Sequence, residues 1–230
     1  MRQQIDWTYA VDETPAPVRA PVDGLAAWFD GRVRSRNPAR ADRLLTAMAR
    51  SRADAARKRP LTFTLLAEWQ RLVLGVPETP FRQGDAFAKG GRERYALTPR
   101  TRQDLSGCLR QSGDREVPLA ARAARAYLDV AFFHPFSDGN ARLALLTLAY
   151  VLERDGVRLD RVGPLQTARY ADDSAGAVDL AVLVAVLIRA AHRRAAGTPH
   201  VGAGCGPYGA IHHPGHGRPA HGVPSAGSEP

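Results

Sequence analysis

A chain of 230 residues, 44% of them apolar, is long enough for one domain with its own core and too short for a second full one. Its net charge of +9 is almost wholly arginine, since Lys58 and Lys89 are the only lysines, and this Arg- and Ala-rich bias bears on solubility and association rather than on chemistry. The two cysteines, Cys108 and Cys205, make no disulfide framework or zinc pattern, no charged-then-apolar leader opens the chain, and the longest apolar run, residues 180–188, is too short for a bilayer, so a reduced, soluble, cytoplasmic protein is expected.

Residues 1–22, broken by prolines and acidic residues, read as an extended N-terminal arm. A helical domain is expected over 23–196. Its stripe starts with Leu25, Trp28, Phe29 and Val33, with Asp23 as N-cap. Asn37-Pro38 opens a second helix, with proline at the first helical position, running to about Arg59 before Pro60. Residues 61–75 make a third, closed by Gly75. The pattern then changes. Segments 85–89 and 94–97 flank Gly90-Gly91 and read as a small β-hairpin.

Helices resume over 101–111 and 119–133. A break at 134–138 precedes a helix over 139–155, apolar on most sides and therefore expected at the centre of the bundle. Gly156 caps it, and a last helix covers 178–194. Residues 197–230, rich in Gly, Pro and His, hold too little apolar surface to offset ordering and are expected to be disordered. The fold class is all-α, a helical bundle with a β-hairpin flap.

The chemistry gathers at the break. His134 stands where one helix has ended, Asp138 follows four residues on, then Gly139-Asn140 at a helix start and Arg142 in its first turn. A helix N-terminus offers unpaired N–H groups and the positive end of the dipole to an anion. Gly139 lets a phosphate approach the backbone. Arg142 supplies a planar fork for phosphate oxygens, and Asp138 a hard oxygen ligand for Mg²⁺. His134 titrates near neutrality and can take a proton from a hydroxyl. Phosphoryl or nucleotidyl transfer needs that set. On residue types alone a plainer reading stays open: His-Pro as helix terminator, Asp138 as N-cap and Gly139-Asn140 as a turn.

The order His134-Pro135-Phe136-Ser137-Asp138-Gly139-Asn140-Ala141-Arg142 resembles the signature of the Fic/Doc family. Residues 119–127 resemble the helix that leads into it. Phe81-Arg82, the hairpin and Tyr95 to Pro99 resemble the family's substrate-positioning flap. The resemblance spans roughly residues 60–192. It implies a Fic-like helical bundle in which His134 is the general base and Asp138 holds Mg²⁺ on the phosphates. It implies that Gly139, Asn140 and Ala141 wrap the phosphates, Arg142 neutralises them and Phe136 anchors the loop in the core. The target would add as a strand to the flap at Asp85, Ala86, Phe87, Ala88 and Lys89. The implied function is a protein AMP-transferase that adenylylates a Ser, Thr or Tyr hydroxyl of a target protein with ATP and Mg²⁺. The implied partners are that target protein and a separate antitoxin protein, with no membrane.

Two positions depart from the fuller pattern. Ala141 replaces a glycine, harmless if the residue is helical and strained if it needs positive φ. Leu145 replaces an arginine that would share a helix face with Arg142 and hold the distal phosphates. The apolar residue resembles the Doc branch, whose members phosphorylate a translation factor. A Doc-like kinase and a degenerate nucleotide-binding module are therefore the alternatives. Family autoinhibition uses a Ser/Thr-x-x-x-Glu helix whose glutamate pairs with that arginine. Thr64…Glu68 and Ser225…Glu229 match the spacing by chance, and this inhibition is expected to be absent. His200, His212, His213, His216 and His221 read as a biased tail rather than a metal site. The N-terminal arginines read as a solvated face rather than a nucleic-acid surface.

Overall fold

The computed structural model describes residues 17–20, 22–167 and 173–197. They fall within one compact unit, Met1–Thr198, while a second unit, Pro199–Pro230, lies wholly outside them. The expectations for most of the N-terminal arm, for the tail and for its histidines lie outside the described residues. The part of the arm that is described contains β1, Val18–Arg19, which pairs in parallel with β4, Val157–Arg158.

The helices start where capping chemistry allows. The Asp23 carboxylate accepts from the Leu25 and Ala26 N–H groups at 3.1 Å and opens α1, Gly24–Trp28, which continues as a π turn, Phe29–Val33. Asn37 accepts from Arg40 N–H at 2.9 Å, and Pro38 begins α2, Pro38–Ala56. This helix stops three residues short of the expected Arg59, because Lys58 takes a left-handed conformation at φ 53°. Thr62 caps α3, Phe63–Leu74, which Gly75 ends at φ 70°. Helix α4 is Thr101–Gln111 and α5 is Leu119–Phe133. Helix α6 is Asn140–Arg154 and α7 is Ser174–Gly197.

Helix α6 is the central element, as its composition predicts. Ten of its fifteen residues are buried, and it packs against α5, α2 and α3. Helix α5 presents Ala120, Ala121, Ala123, Ala124 and Ala126 fully inside, so α6 and α7 approach it closely. Helix α7 begins earlier and ends later than the 178–194 expected. Its Ala175–Gly197 span, 23 residues with a mean hydropathy of 1.8, is long and apolar enough to cross a membrane, which the run 180–188 alone is not. Its Leu180, Ala181, Val184, Ala185, Ile188 and Ala191 are buried in the core instead, and Asp179, Arg189 and Arg193 face out.

An ionic network around the buried Asp54 ties three helices. Asp54, 1% exposed, accepts from Trp69 Nε1 at 2.9 Å, Arg50 Nε at 3.0 Å and Arg59 Nη1 at 3.1 Å. Glu68 receives both Arg59 guanidinium nitrogens at 2.9 Å, and the Tyr150 hydroxyl of α6 donates to the Arg59 carbonyl. Burial pushes the Asp54 pKa up, but the three donors together hold it below the ordinary carboxylate value.

The hairpin has the expected form. Strand β2, Ala86–Ala88, runs antiparallel to β3, Glu93–Tyr95, with Phe87 opposite Arg94. Lys89–Gly91 turns the chain, Gly90 and Gly91 taking φ of 69° and 87° that side chains resist. Only the backbone of Lys89 is described.

Candidate active site

Helix α5 ends because His134 turns left-handed, at φ 44° and ψ 58°, and Pro135 cannot continue it. His134 and Lys58 are the only non-glycine residues with positive φ among those described. Such a conformation costs about 1–2 kcal/mol and needs support. His134 Nδ1 lies 2.6 Å from the Ala131 carbonyl oxygen. A carbonyl only accepts, so Nδ1 carries the hydrogen and Nε2 keeps its lone pair. That is the tautomer of a general base. The Tyr95 ring stacks on the imidazole with centroids 3.9 Å apart and planes 14° apart. Burial pushes the His134 pKa below its ordinary value. The Ala131 bond opposes this, the Arg82 charge adds to it, and Glu93 opposes it. Burial thus favours the neutral imidazole.

The loop from 133 to 140 shows where its carbonyl oxygens go. Arg82 Nη2 donates to Phe133 O at 3.4 Å and Arg82 Nε to His134 O at 2.7 Å. The Arg82 N–H donates to Pro135 O at 3.0 Å. Asn140 Nδ2 donates to Phe136 O at 2.7 Å, and Asn140 Oδ1 accepts from Phe136 N–H at 3.0 Å. Gln70 Nε2 donates to Asp138 O. These carbonyl oxygens are thus bound to the protein. The first N–H groups of α6 have no acceptor one turn back within the helix. A phosphate set against that end meets donors rather than oxygens.

Asn140 meets the loop through its side chain. Its side chain, in a residue 3% exposed, is used up on Phe136, so it closes the loop, and only its backbone can meet a phosphate. Phe136 is buried as expected and stacks on Phe63 at 5.3 Å, with Phe63 against Phe81 at 5.4 Å. Gly139 sits at φ 79°, and a Cβ there would lie 2.5 Å from Gln70 Nε2, so the position demands glycine. Ala141 is an exposed helical residue with no positive φ, so its methyl is harmless. Leu145 is 6% exposed and faces an apolar cavity with Leu25, Leu148, Leu152, Leu159 and Leu165. It is a core residue, and the distal-phosphate grip is missing at this position.

Asp138 and Arg142 lie together. Asp138 Oδ2 accepts from Arg142 Nη2 at 2.9 Å, and its Oδ1 from Gly139 N–H at 2.6 Å. The Asp138 carboxylate is exposed. Among the described residues no three His, Cys, Asp or Glu side chains gather as a metal cage. Mg²⁺ does not require one, since it keeps its waters and takes one or two carboxylates plus substrate phosphates. Asp138 fits that role once Arg142 turns to the phosphates.

Of the flap residues, Asp85 works as a clasp. Its Oδ1 accepts from Leu97 N–H at 2.7 Å and its Oδ2 from Arg94 Nε at 2.7 Å. Ala86 is buried and Ala88 half-buried, while Phe87 is 62% exposed. Among the described residues this sheet has two strands, and the far edge of β2 has no partner strand there. Glu68 of the Thr64…Glu68 spacing is held by Arg59 and Arg50. Gln70 is not legible as a site residue, and Arg82, named in the flap resemblance, has no role readable there. Gln70 does carry one signal, a polar residue inside the apolar stripe of Leu66, Trp69 and Val73.

Residues 60–152 match the model of the Fic/DOC family. No curated protein matches the chain in sequence. Several solved structures share the fold. A Fic domain containing signaling protein from Bacteroides thetaiotaomicron is 20% identical, TM-score 0.50, over 67% of this chain and 69% of that one. IbpAFic2 in complex with adenylylated Cdc42 is 13% identical, TM-score 0.55, over 78% and 66%. Fic-1 from C. elegans is 18% identical, TM-score 0.52, over 75% and 60%. The chain thus spans between 60% and 69% of the length of these three neighbours. Motif, loop geometry, fold and family match agree: this chain carries a Fic/DOC family domain at residues 60–152.

Proposed function

We propose that this protein adenylylates a Ser, Thr or Tyr hydroxyl of a target protein, using ATP. The observation that carries the proposal is the pinned tautomer of His134 beside a helix start, with the carbonyls of Phe133, His134, Pro135, Phe136 and Asp138 bound to the protein. The hydroxyl oxygen attacks the α-phosphorus, the bond to the β-phosphate oxygen breaks, and pyrophosphate leaves. The hydroxyl proton passes to His134 Nε2. The first N–H groups of α6 and the Arg142 guanidinium take the phosphate charge. Asp138 would hold Mg²⁺, which supplies charge neutralisation on the phosphates. The unpaired edge of β2 receives the target as an added strand, with Phe87 against its side chains. The adenylylated Cdc42 beside IbpAFic2 supports a protein as substrate.

Leu145 favours a second reading, transfer of the γ-phosphate, because nothing at that position grips the distal phosphates. One incubation of a cell lysate with α- and with γ-labelled ATP separates the two. The AMP reading expects a protein labelled from the α-position only. Label from the γ-position alone overturns it in favour of the kinase reading.

A further inference from the structure

We propose that Arg82 is a positioning residue that locks the base of the hairpin flap to the backbone of His134, holding base and target strand in one frame. The proposal rests on the transfer reading above. Arg82 is 7% exposed, and its hydrogen bonds all go to carbonyl oxygens. Its Nε and Nη2 donate to His134 O and Phe133 O. The same Nη2 donates to Ala96 O at 3.2 Å, and Nη1 to Gly84 O.

Those four acceptors belong to two separate segments. Gly84 and Ala96 stand just outside the two hairpin strands, so the guanidinium closes the hairpin at its root. Phe133 and His134 are the last helical residue of α5 and its left-handed cap. The Arg82 N–H on Pro135 O adds a third grip on the same turn. A buried guanidinium is a poor source of stability compared with an apolar side chain. Five donors in a rigid plane are well suited to fixing several oxygens at once, which a lysine ammonium cannot reproduce. The strained His134 backbone is therefore held by the same side chain that fixes where β2 presents its free edge.

The test uses the full chain with Arg82→Met and Arg82→Lys. The probe is α-labelled ATP with a cell lysate, read on the protein that the wild type labels. Arg82→Met is expected to lower the maximal labelling rate about 100-fold, because small misplacement of reacting groups costs that much. The KM for ATP is expected to stay within about twofold, because the nucleotide cradle is built by α6 and Gln70. Arg82→Lys is expected to recover part of the rate. Amide hydrogen exchange is expected to show protection lost in residues 86–95 and kept in α5 and α6. Wild-type labelling by Arg82→Met overturns the proposal. So does a parallel loss of rate, ATP affinity and protection in α5 and α6, which marks a general structural role. If Arg82→Met does not fold, Arg82→Lys carries the same comparison. If the wild type labels nothing, the transfer reading fails by itself. The exchange measurement then still decides the coupling, and unchanged hairpin protection overturns it.

Discussion

The smallest features of the site carry its chemistry. To act as the proposed base His134 needs a free Nε2 lone pair, and the bond from Nδ1 to Ala131 leaves it one. Since burial first and the Arg82 charge next depress its pKa, transfer is expected to be full at neutral pH and to fall only as pH drops through a value below 6.5. A pH–rate profile of label transfer with its acid limb above 6.5 would contradict this. Gly139→Ala places a methyl against Gln70 at φ 79° and is expected to cost about 1–2 kcal/mol, with weaker ATP binding, by thermal melting and nucleotide titration. Asn140→Ala leaves the buried Phe136 N–H and C=O without partners and is expected to cost about 1–3 kcal/mol in urea unfolding. A fully stable Asn140→Ala would mean that the loop closes without it.

Between elements, the joint of α2, α3 and α6 depends on Asp54. Its folded pKa lies below the ordinary 3.8, so its contribution is present above that value and lost as pH falls through the folded one. Asp54→Asn is expected to destabilise by about 3 kcal/mol at pH 7, and the difference from wild type should shrink in acid, by urea unfolding at several pH values. The caps were legible because their chemistry is local: Asp23, Asn37 and Gly75 act within one turn. The bounds of α4 and α5 follow from periodicity for the same reason. The β1–β4 pair was not legible, since two residues cannot show alternation. Nor was the π turn at Phe29–Val33, because its apolar stripe looks the same as that of an α-helix. Lys58 ends α2 through a backbone angle that no residue type announces.

Across the whole domain, the motif residues are close in sequence and their order can be read directly. What holds them is distant in sequence. Gln70 reaches Asp138 from α3, Arg82 reaches His134 from the flap, and Tyr95 covers the imidazole. Those contacts exist only once the bundle has brought α3, the hairpin and α5 together. Leu145 shows the converse. As one helical turn from Arg142 it reads as a lost phosphate ligand, whereas the fold places it among Leu25, Leu148 and Leu165. In the proposed transfer His134 takes the target's proton while the nucleotide rests elsewhere. The most direct measurement compares wild type with His134→Ala for ATP affinity and for transfer of α-label to protein. Equal ATP affinity with transfer slowed about 100-fold or more is expected. Transfer at the wild-type rate by His134→Ala would contradict it.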